Sequence, residues 1–200
     1  LYVYCINNPL LLIDATGWYA REAAITYAKE RAYAGYLWGR NPQYYNYRTD
    51  CANFVSQSLF AGEITMNDSW HSYRIEKSWL IPPAWNNNRY DWNVAPTWRL
   101  AADQYNYFSN PENGFINGDV IVINDASEIA KYAKNGGIQA GDLMYFADLN
   151  AKNPHHATMI SKVDDKEIYF TGHTKSRFDR ELSLSMSGQK VYIVRIRDDA

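Results

Sequence analysis

Long apolar runs and a strong charge of either sign are both missing from this sequence. The longest apolar stretches, such as 9–13, are far shorter than the roughly 20 residues that cross a bilayer. Residues 1–17 lack the basic start and long apolar centre of a secretory signal, so we expect no membrane anchor in the chain as given. The formal net charge of −2 provides no broad basic surface, which argues against nucleic acid as the main partner.

Cysteine is scarce, and the common metal-binding motifs are absent. The two cysteines, Cys5 and Cys51, permit one disulfide at most, and their spacing matches no disulfide scaffold. The sequence contains no HExxH, no paired CxxC and no glycine-rich phosphate loop. Adjacent His155 and His156 on a strand would point to opposite faces and could not share a metal. We therefore expect no metal and no cofactor.

Helical patterns come first in the chain and strand patterns come last. Strong helix formers predict a helix over 18–35, and two further helices are predicted over 97–109 and 127–134, each behind a hydroxyl residue suited to an N-cap. The segment 67–93 is rich in Trp, Asn and Pro without a period, which predicts a long loop that shapes the binding groove.

The last third of the chain consists of short β-prone runs separated by turn residues. They predict an antiparallel sheet with hairpins, and the runs are 141–149, 156–164, 167–173 and 190–197. Helices followed by strands indicate an α+β domain, and 46% apolar residues suffice for its core.

Cys51 is the first candidate for chemistry. Asp50, or Thr49 before it, is a natural N-cap, so the thiol is expected in the first turn of a helix. Unpaired N–H groups and the helix dipole favour an anion there and lower the pKa of a thiol, which makes it a nucleophile. The same N–H groups could hold the oxyanion of a tetrahedral intermediate. The alternative is a buried core thiol without reactivity.

Four histidines are candidates for the base that a nucleophilic cysteine needs. His71 lies in the irregular segment and is expected at the surface or in the groove. His156 begins an alternating strand and is preferred over His155. His173 ends the following strand, so a hairpin would bring it beside His156, where one imidazole could orient the other. The alternative is that His173 is a surface residue at the end of a strand without a catalytic role.

Two motifs in the chain resemble those of the Putative amidase domain family of bacteria, which is akin to the NlpC-type and CHAP cell-wall peptidases of the papain-like superfamily. The "DC-x-NFVSQ" stretch of that family occurs here from Asp50 to Gln57. The later "GD-x-[apolar]-x-[aromatic]" begins at Gly141 and is followed by a histidine that starts a strand, His156, and by a closing His-Thr at His173 and Thr174.

The family resemblance implies a papain-like cysteine peptidase fold over 18–200, with N-terminal helices packed on a C-terminal antiparallel sheet. It implies Cys51 as nucleophile, His156 as general base and His173 as orienting group. Asp50 and Asn53 are implied as supports of the cleft, and the "YLWG" run resembles the Tyr-x-Trp-Gly of NlpC-type enzymes, which adds Tyr36 and Trp38.

Residues 1–17 carry a second resemblance. Asn7, Asn8, Pro9, Asp14 and Gly17 are similar in register to the tail of the shell-forming core of Rhs and YD-repeat polymorphic toxins, although Ala15 replaces the usual proline. This resemblance implies that residues 18–200 are the effector of a larger toxin that is secreted or delivered into a target cell. A cognate immunity protein is then an expected partner.

The resemblances and the residue chemistry together predict a cysteine-dependent amide hydrolase. The expected substrate is peptidoglycan, cleaved at a peptide or amide bond. The first alternative is a papain-like toxin that deamidates or cleaves an intracellular protein. An alternative of another class is a catalytically dead binding module with the same fold.

Overall fold

A six-stranded antiparallel sheet forms the centre of the protein. The structure is a computed structural model that describes residues 18–33, 40–76, 90–174 and 176–200. The spatial order of the strands is β3-β8-β4-β5-β6-β7, and a separate antiparallel pair is formed by β1 and β2. The predicted α+β class and antiparallel sheet are confirmed.

Eight strands and five α-helices occur in the described ranges. The strands are β1 (Ser72–Glu76), β2 (Tyr90–Val94), β3 (Ile121–Ile123), β4 (Leu143–Asp148), β5 (His156–Val163), β6 (Ile168–Gly172), β7 (Arg177–Glu181) and β8 (Gln189–Val194). The helices are α1 (Arg21–Tyr33), α2 (Cys51–Ala61), α3 (Pro96–Arg99), α4 (Ala101–Ser109) and α5 (Ile129–Asn135). None of these helices is long and apolar enough to cross a membrane.

The sheet is covered on both faces, which explains why its central strand is apolar at consecutive positions. On β4, Leu143 and Tyr145 belong to the core shared with α1, α2 and α4, which we call the helical face. Met144 and Phe146 belong to a second core on the opposite face, which includes Ile129 of α5. Alternation along a strand therefore decides which core a side chain enters.

Arg21 ties the first helix to the sheet. Its guanidinium lies 2.8 Å from the fully buried carboxylate of Asp142, and it also bonds Asp198 and the carbonyl of Ile196. Burial raises the pKa of Asp142, while Arg21 and backbone N–H groups oppose that shift. Gly141 has a φ of 92°, a conformation that suits glycine at the turn into β4.

Three predictions about local structure differ from what is observed. The helix expected over 97–109 is divided into α3 and α4, because Leu100 is extended with φ −111° and ψ 127°. The predicted hydroxyl N-caps are also not found. The residue before α3 is Ala95, and the short turn before α5 is capped by Asp125, which accepts the N–H of Ser127. The segment 67–93, expected as a long loop or insertion, is not all loop in its described part, because it contains β1 and nearly all of β2, which pair with each other.

Candidate active site

Cys51 is the first residue of α2 and has a free, buried thiol with 8% exposure. The helix positions it because its first three turns are buried almost completely against the sheet and α1. The thiol lies near the start of β5, since the backbone N–H of Ala157 lowers the pKa of Cys51. The predicted location of Cys51 at a helix start is confirmed.

Asp50 occupies the N-cap position, but its carboxylate does not cap the helix. One oxygen lies 2.7 Å from Arg40 and 2.9 Å from Nδ1 of His173, and the other accepts the amide of Asn53 at 2.7 Å. A buried carboxylate needs such partners because it has lost its water. Asp50 therefore joins the start of α2 to the end of β6 instead of capping α2.

Thr174 completes this junction from the other side. Its hydroxyl accepts the backbone N–H of Asp50 at 3.2 Å. Its φ of 82° is rare for a β-branched residue, and such strain persists only where the surrounding contacts impose it. The strained turn after β6 thus holds the residue that precedes Cys51.

Burial decides the protonation of the thiol. The expectation of a lowered pKa is wrong, because desolvation raises the pKa of Cys51 and the nearby charge of Asp50 adds to the rise. Backbone N–H groups of Ala157, Ala52 and Cys51 itself act in the opposite direction, as the helix-start argument requires, but they are outweighed. The resting group is a neutral thiol near pH 7.

His156 lines the same cavity as Cys51. Burial lowers the pKa of His156 to about 4, helped by the charges of His155 and Arg177. Its ring lies 5.9 Å from that of Phe146, which it faces across the β4–β5 pair. None of the described residues forms a hydrogen bond with the His156 imidazole, so both ring nitrogens can bond a substrate or the Cys51 thiol.

His173 lies on the other face of the sheet from His156. The β5–β6 hairpin is confirmed, with Met159 opposite Thr171, and that register continued outward puts His173 opposite Ala157. The ring of His173 packs on Phe54 at 4.2 Å, its Nδ1 bonds Asp50 and its Nε2 lies 3.3 Å from the carbonyl of Arg31. The predicted contact between the two imidazoles is absent from the described residues.

The other two histidines have separate surroundings. His155 is half exposed, with Nδ1 4.0 Å from Asp148 and Nε2 3.2 Å from Gln189, at the rim of the cavity. His71 lies on the β1–β2 side, where its nitrogens are close to Asn67 and Asn93. Of these two histidines, only His155 lines the cavity that contains Cys51.

The cavity beside Cys51 has a volume of about 550 Å³. Its lining is aromatic, basic and polar, and contains no carboxylate. We call Phe146 and Phe170 the aromatic floor of the cavity, and Arg177 and Arg180 its basic wall. The residues are Thr49, Cys51, Phe146, His155, His156, Phe170, Thr174, Arg177, Arg180, Leu184, Ser185 and Gln189. The basic wall was not predicted, because β7 is too rich in charged residues to be recognised as a strand.

The predicted supports of the cleft have different positions. Asn53 is a buried residue of α2, where it donates to Asp50 and accepts the indole N–H of Trp98 at 2.8 Å. Tyr36 and Trp38 lie outside the described residues, as does Cys5. The expectation that the segment 67–93 shapes the groove beside Cys51 is wrong for its described part, since Trp92 lines a second cavity with Tyr44, Tyr45 and Tyr47. No group of three or more His, Cys, Asp or Glu side chains in the described ranges could hold a metal ion.

Comparison with known proteins agrees with the family resemblance. The family described as Putative amidase domain matches residues 18–196. Among curated proteins, the chain is 33% identical over 97 residues to "Uncharacterized protein YhbB" of Bacillus subtilis (strain 168). That match spans 48% of this chain and only 26% of the relative. No solved structure matches the chain.

Proposed function

The chain belongs to the Putative amidase domain family, and from that premise we propose that it hydrolyses amide bonds with Cys51 as nucleophile and His156 as general base. The family description gives the reaction class, an amide hydrolase, at a general level. The observation that carries the cysteine mechanism is that Cys51 and His156 line one cavity. A thiol in the first turn of a helix and an imidazole that line one cavity supply the nucleophile and the base that this chemistry requires.

The proposed reaction starts from a neutral pair. As Sγ of Cys51 attacks the amide carbonyl, His156 accepts the thiol proton and then delivers it to the leaving amine. Backbone N–H groups at the start of α2 stabilise the oxyanion. A water molecule that gives a proton to His156 then hydrolyses the thioester and regenerates the thiol. A neutral resting pair suits this order, because the pKa of the thiol is raised and that of His156 is lowered.

His173 has a positioning role in this proposal and not a catalytic one. Its bond to Asp50, together with the bond from the Asp50 N–H to Thr174, fixes the residue before the nucleophile. Asn53 supports the same carboxylate from within α2. The orienting function that the resemblance implies for His173 is therefore exerted on Cys51 through Asp50.

Peptidoglycan is the first substrate that we propose, on the basis of the resemblance to cell-wall peptidases. The wider proposal is an effector released into a target cell as part of a larger toxin, with an immunity protein as partner. Digestion of purified sacculi followed by mass spectrometry tests the substrate, since new amines or stem-peptide ends must be produced. If sacculi are not digested and an intracellular protein is cleaved or deamidated instead, the same cysteine chemistry acts on the alternative substrate.

The mechanism is tested by Cys51→Ala and Cys51→Ser. Both variants should lose amide hydrolysis and also iodoacetamide labelling at position 51, read by peptide mapping because Cys5 remains in both, while keeping the circular dichroism and melting temperature of the parent. The loss should exceed a hundredfold, because removal of a covalent nucleophile leaves only binding and oxyanion stabilisation. Retained hydrolysis in a folded Cys51→Ala protein would refute the cysteine mechanism, and a parent that neither hydrolyses nor labels would favour the binding module.

A further inference from the structure

The basic wall of the cavity beside Cys51 contains no acidic residue. Arg177 and Arg180 of β7 both line the cavity, and none of its lining residues is acidic. Asp179 and Glu181 line an adjoining cavity with both arginines, but among the described residues neither guanidinium forms an ion pair with a carboxylate. Two partly buried cations without a paired carboxylate favour an anion from outside.

The known bonds of Arg180 leave its charge uncompensated. Its Nε donates to the hydroxyl of Ser185 at 3.2 Å, and a terminal nitrogen donates to the carbonyl of Leu184 at 3.2 Å. Both acceptors are neutral, so they fix the direction of the guanidinium without cancelling its charge. Arg177 has an electrostatic effect on His156, which shows that it lies near the proposed base.

A β-bulge brings the two arginines to the same face. Residues three apart on a regular strand point to opposite faces. On β7, however, Arg180 pairs with Phe170 and Arg177 pairs with Gly172, so two residues of β7 lie opposite one residue of β6 between these pairs. Phe170 and Gly172 share a face, and Phe170 is part of the cavity floor. The extra residue therefore directs both guanidinium groups towards the cavity.

The bulge has a strained backbone that contacts from the helical face hold in place. Asp179 has a φ of 45°, which is rare for a residue other than glycine. Its N–H lies 3.3 Å from the hydroxyl of Thr171, and its carboxylate pairs with Lys29 of α1 at 3.2 Å. Strain of this kind is commonly found where it serves a site.

We propose that the substrate of this site carries a carboxylate next to the amide that is cleaved, and that Arg177 and Arg180 bind it. The inference rests on the proposed function, because it identifies the chemical class that enters the cavity of Cys51. Arginine suits this task since its planar fork matches a carboxylate. The aromatic floor of Phe146 and Phe170 accommodates the aliphatic part of the same peptide unit.

The test compares two alkylating reagents at Cys51. Iodoacetate and iodoacetamide share size and leaving group, but only iodoacetate carries a carboxylate. The ratio of their rates should be higher at Cys51 than at a free cysteine peptide. In Arg177→Gln and in the double variant with Arg180→Gln, the ratio should fall roughly threefold or more, as expected for the loss of a screened charge interaction. The iodoacetamide rate in each variant reports whether the site is folded.

Two matched variants separate a local effect from net charge. Arg177→Lys keeps the positive charge and should keep most of the ratio. Arg197→Gln removes a guanidinium that pairs with Asp199 outside the cavity, and should leave the ratio unchanged. A parent ratio equal to that of the free peptide, or a ratio unaffected by Arg177→Gln, would overturn the inference and leave the cysteine mechanism standing. Failure of both reagents to label Cys51 would overturn the two proposals together.

A second test of the same proposal uses peptide substrates. Peptide amides with a free carboxylate beside the scissile bond should be cleaved with a lower KM than the same peptides with that carboxylate amidated. Arg177→Gln should remove this preference mainly through KM. Sacculus-derived peptides and protein-derived acidic peptides distinguish the source of the carboxylate. Equal KM values for the free and amidated forms would contradict the proposal.

Discussion

Burial shifts the pKa values of Cys51 and His156 in opposite directions. It raises the pKa of the thiol and lowers that of the imidazole to about 4, so both groups are neutral near pH 7. The sequence indicated the helix start and its favourable N–H groups correctly. It could not give the extent of desolvation, because burial of the thiol depends on β5, more than 100 residues away.

A pH profile tests the protonation of His156. The base must be neutral to accept a proton. The rate of hydrolysis should therefore be maximal above about pH 5 and fall as the pH drops through about 4. An NMR titration of the His156 ring should give the same midpoint. In Arg177→Gln both midpoints should move to higher pH, because a positive charge that disfavours the imidazolium has been removed. A midpoint near 6.5 in the parent would contradict the buried environment of His156.

At the scale of secondary-structure elements, the alternation of side chains along β5 and β6 determines the separate roles of His156 and His173. The hairpin, its turn and the four late strands are predictable from apolar alternation and turn residues. Which face each histidine occupies depends on register, and a shift of one residue exchanges the faces. The sequence indicated proximity of His156 and His173, but not that the sheet separates their side chains.

His173→Ala tests the junction that includes Asp50. The variant should lose about 1–3 kcal/mol of unfolding free energy, since a buried hydrogen bond and ring packing are lost while Arg40 still compensates the carboxylate. Urea unfolding measures this change. The acid midpoint of hydrolysis should stay near pH 4, because His173 has no contact with His156. A shifted midpoint with unchanged stability would instead support direct orientation of one imidazole by the other.

At the scale of the whole molecule, Arg21 connects α1 with the start of β4 and the segment after β8. Arg21→Met should reduce the unfolding free energy by about 3 kcal/mol or more, because the buried carboxylate of Asp142 loses its charged partner. Chemical denaturation measures the loss. The exposed pair of Arg197 with Asp199 provides the control, since Arg197→Met should cost less than about 1 kcal/mol. Equal losses of unfolding free energy in Arg21→Met and Arg197→Met would show that the buried Arg21 pair stabilises the fold no more than an exposed pair does.

The architecture was predictable as an N-terminal helical part and a C-terminal antiparallel sheet, but β1, β2 and β3, which precede the last helices, were not predicted. The α+β class, α1, α2 and the central strands follow from periodicity and propensity. Strand β7 could not be recognised, because its sequence alternates neither in hydrophobicity nor in charge, and its bulge removes the period on which such recognition depends. The basic wall of the cavity was missed for the same reason.

The bulge in β7 also bears on how specificity can be transferred between relatives. A homologue that keeps both arginines three residues apart but pairs β7 with β6 without the bulge would present only one of them to the cavity, although its aligned letters would look nearly identical. Strand register in this segment should therefore be compared before residue identity. A change that removes the bulge could then redirect the selectivity of the site without touching its nucleophile.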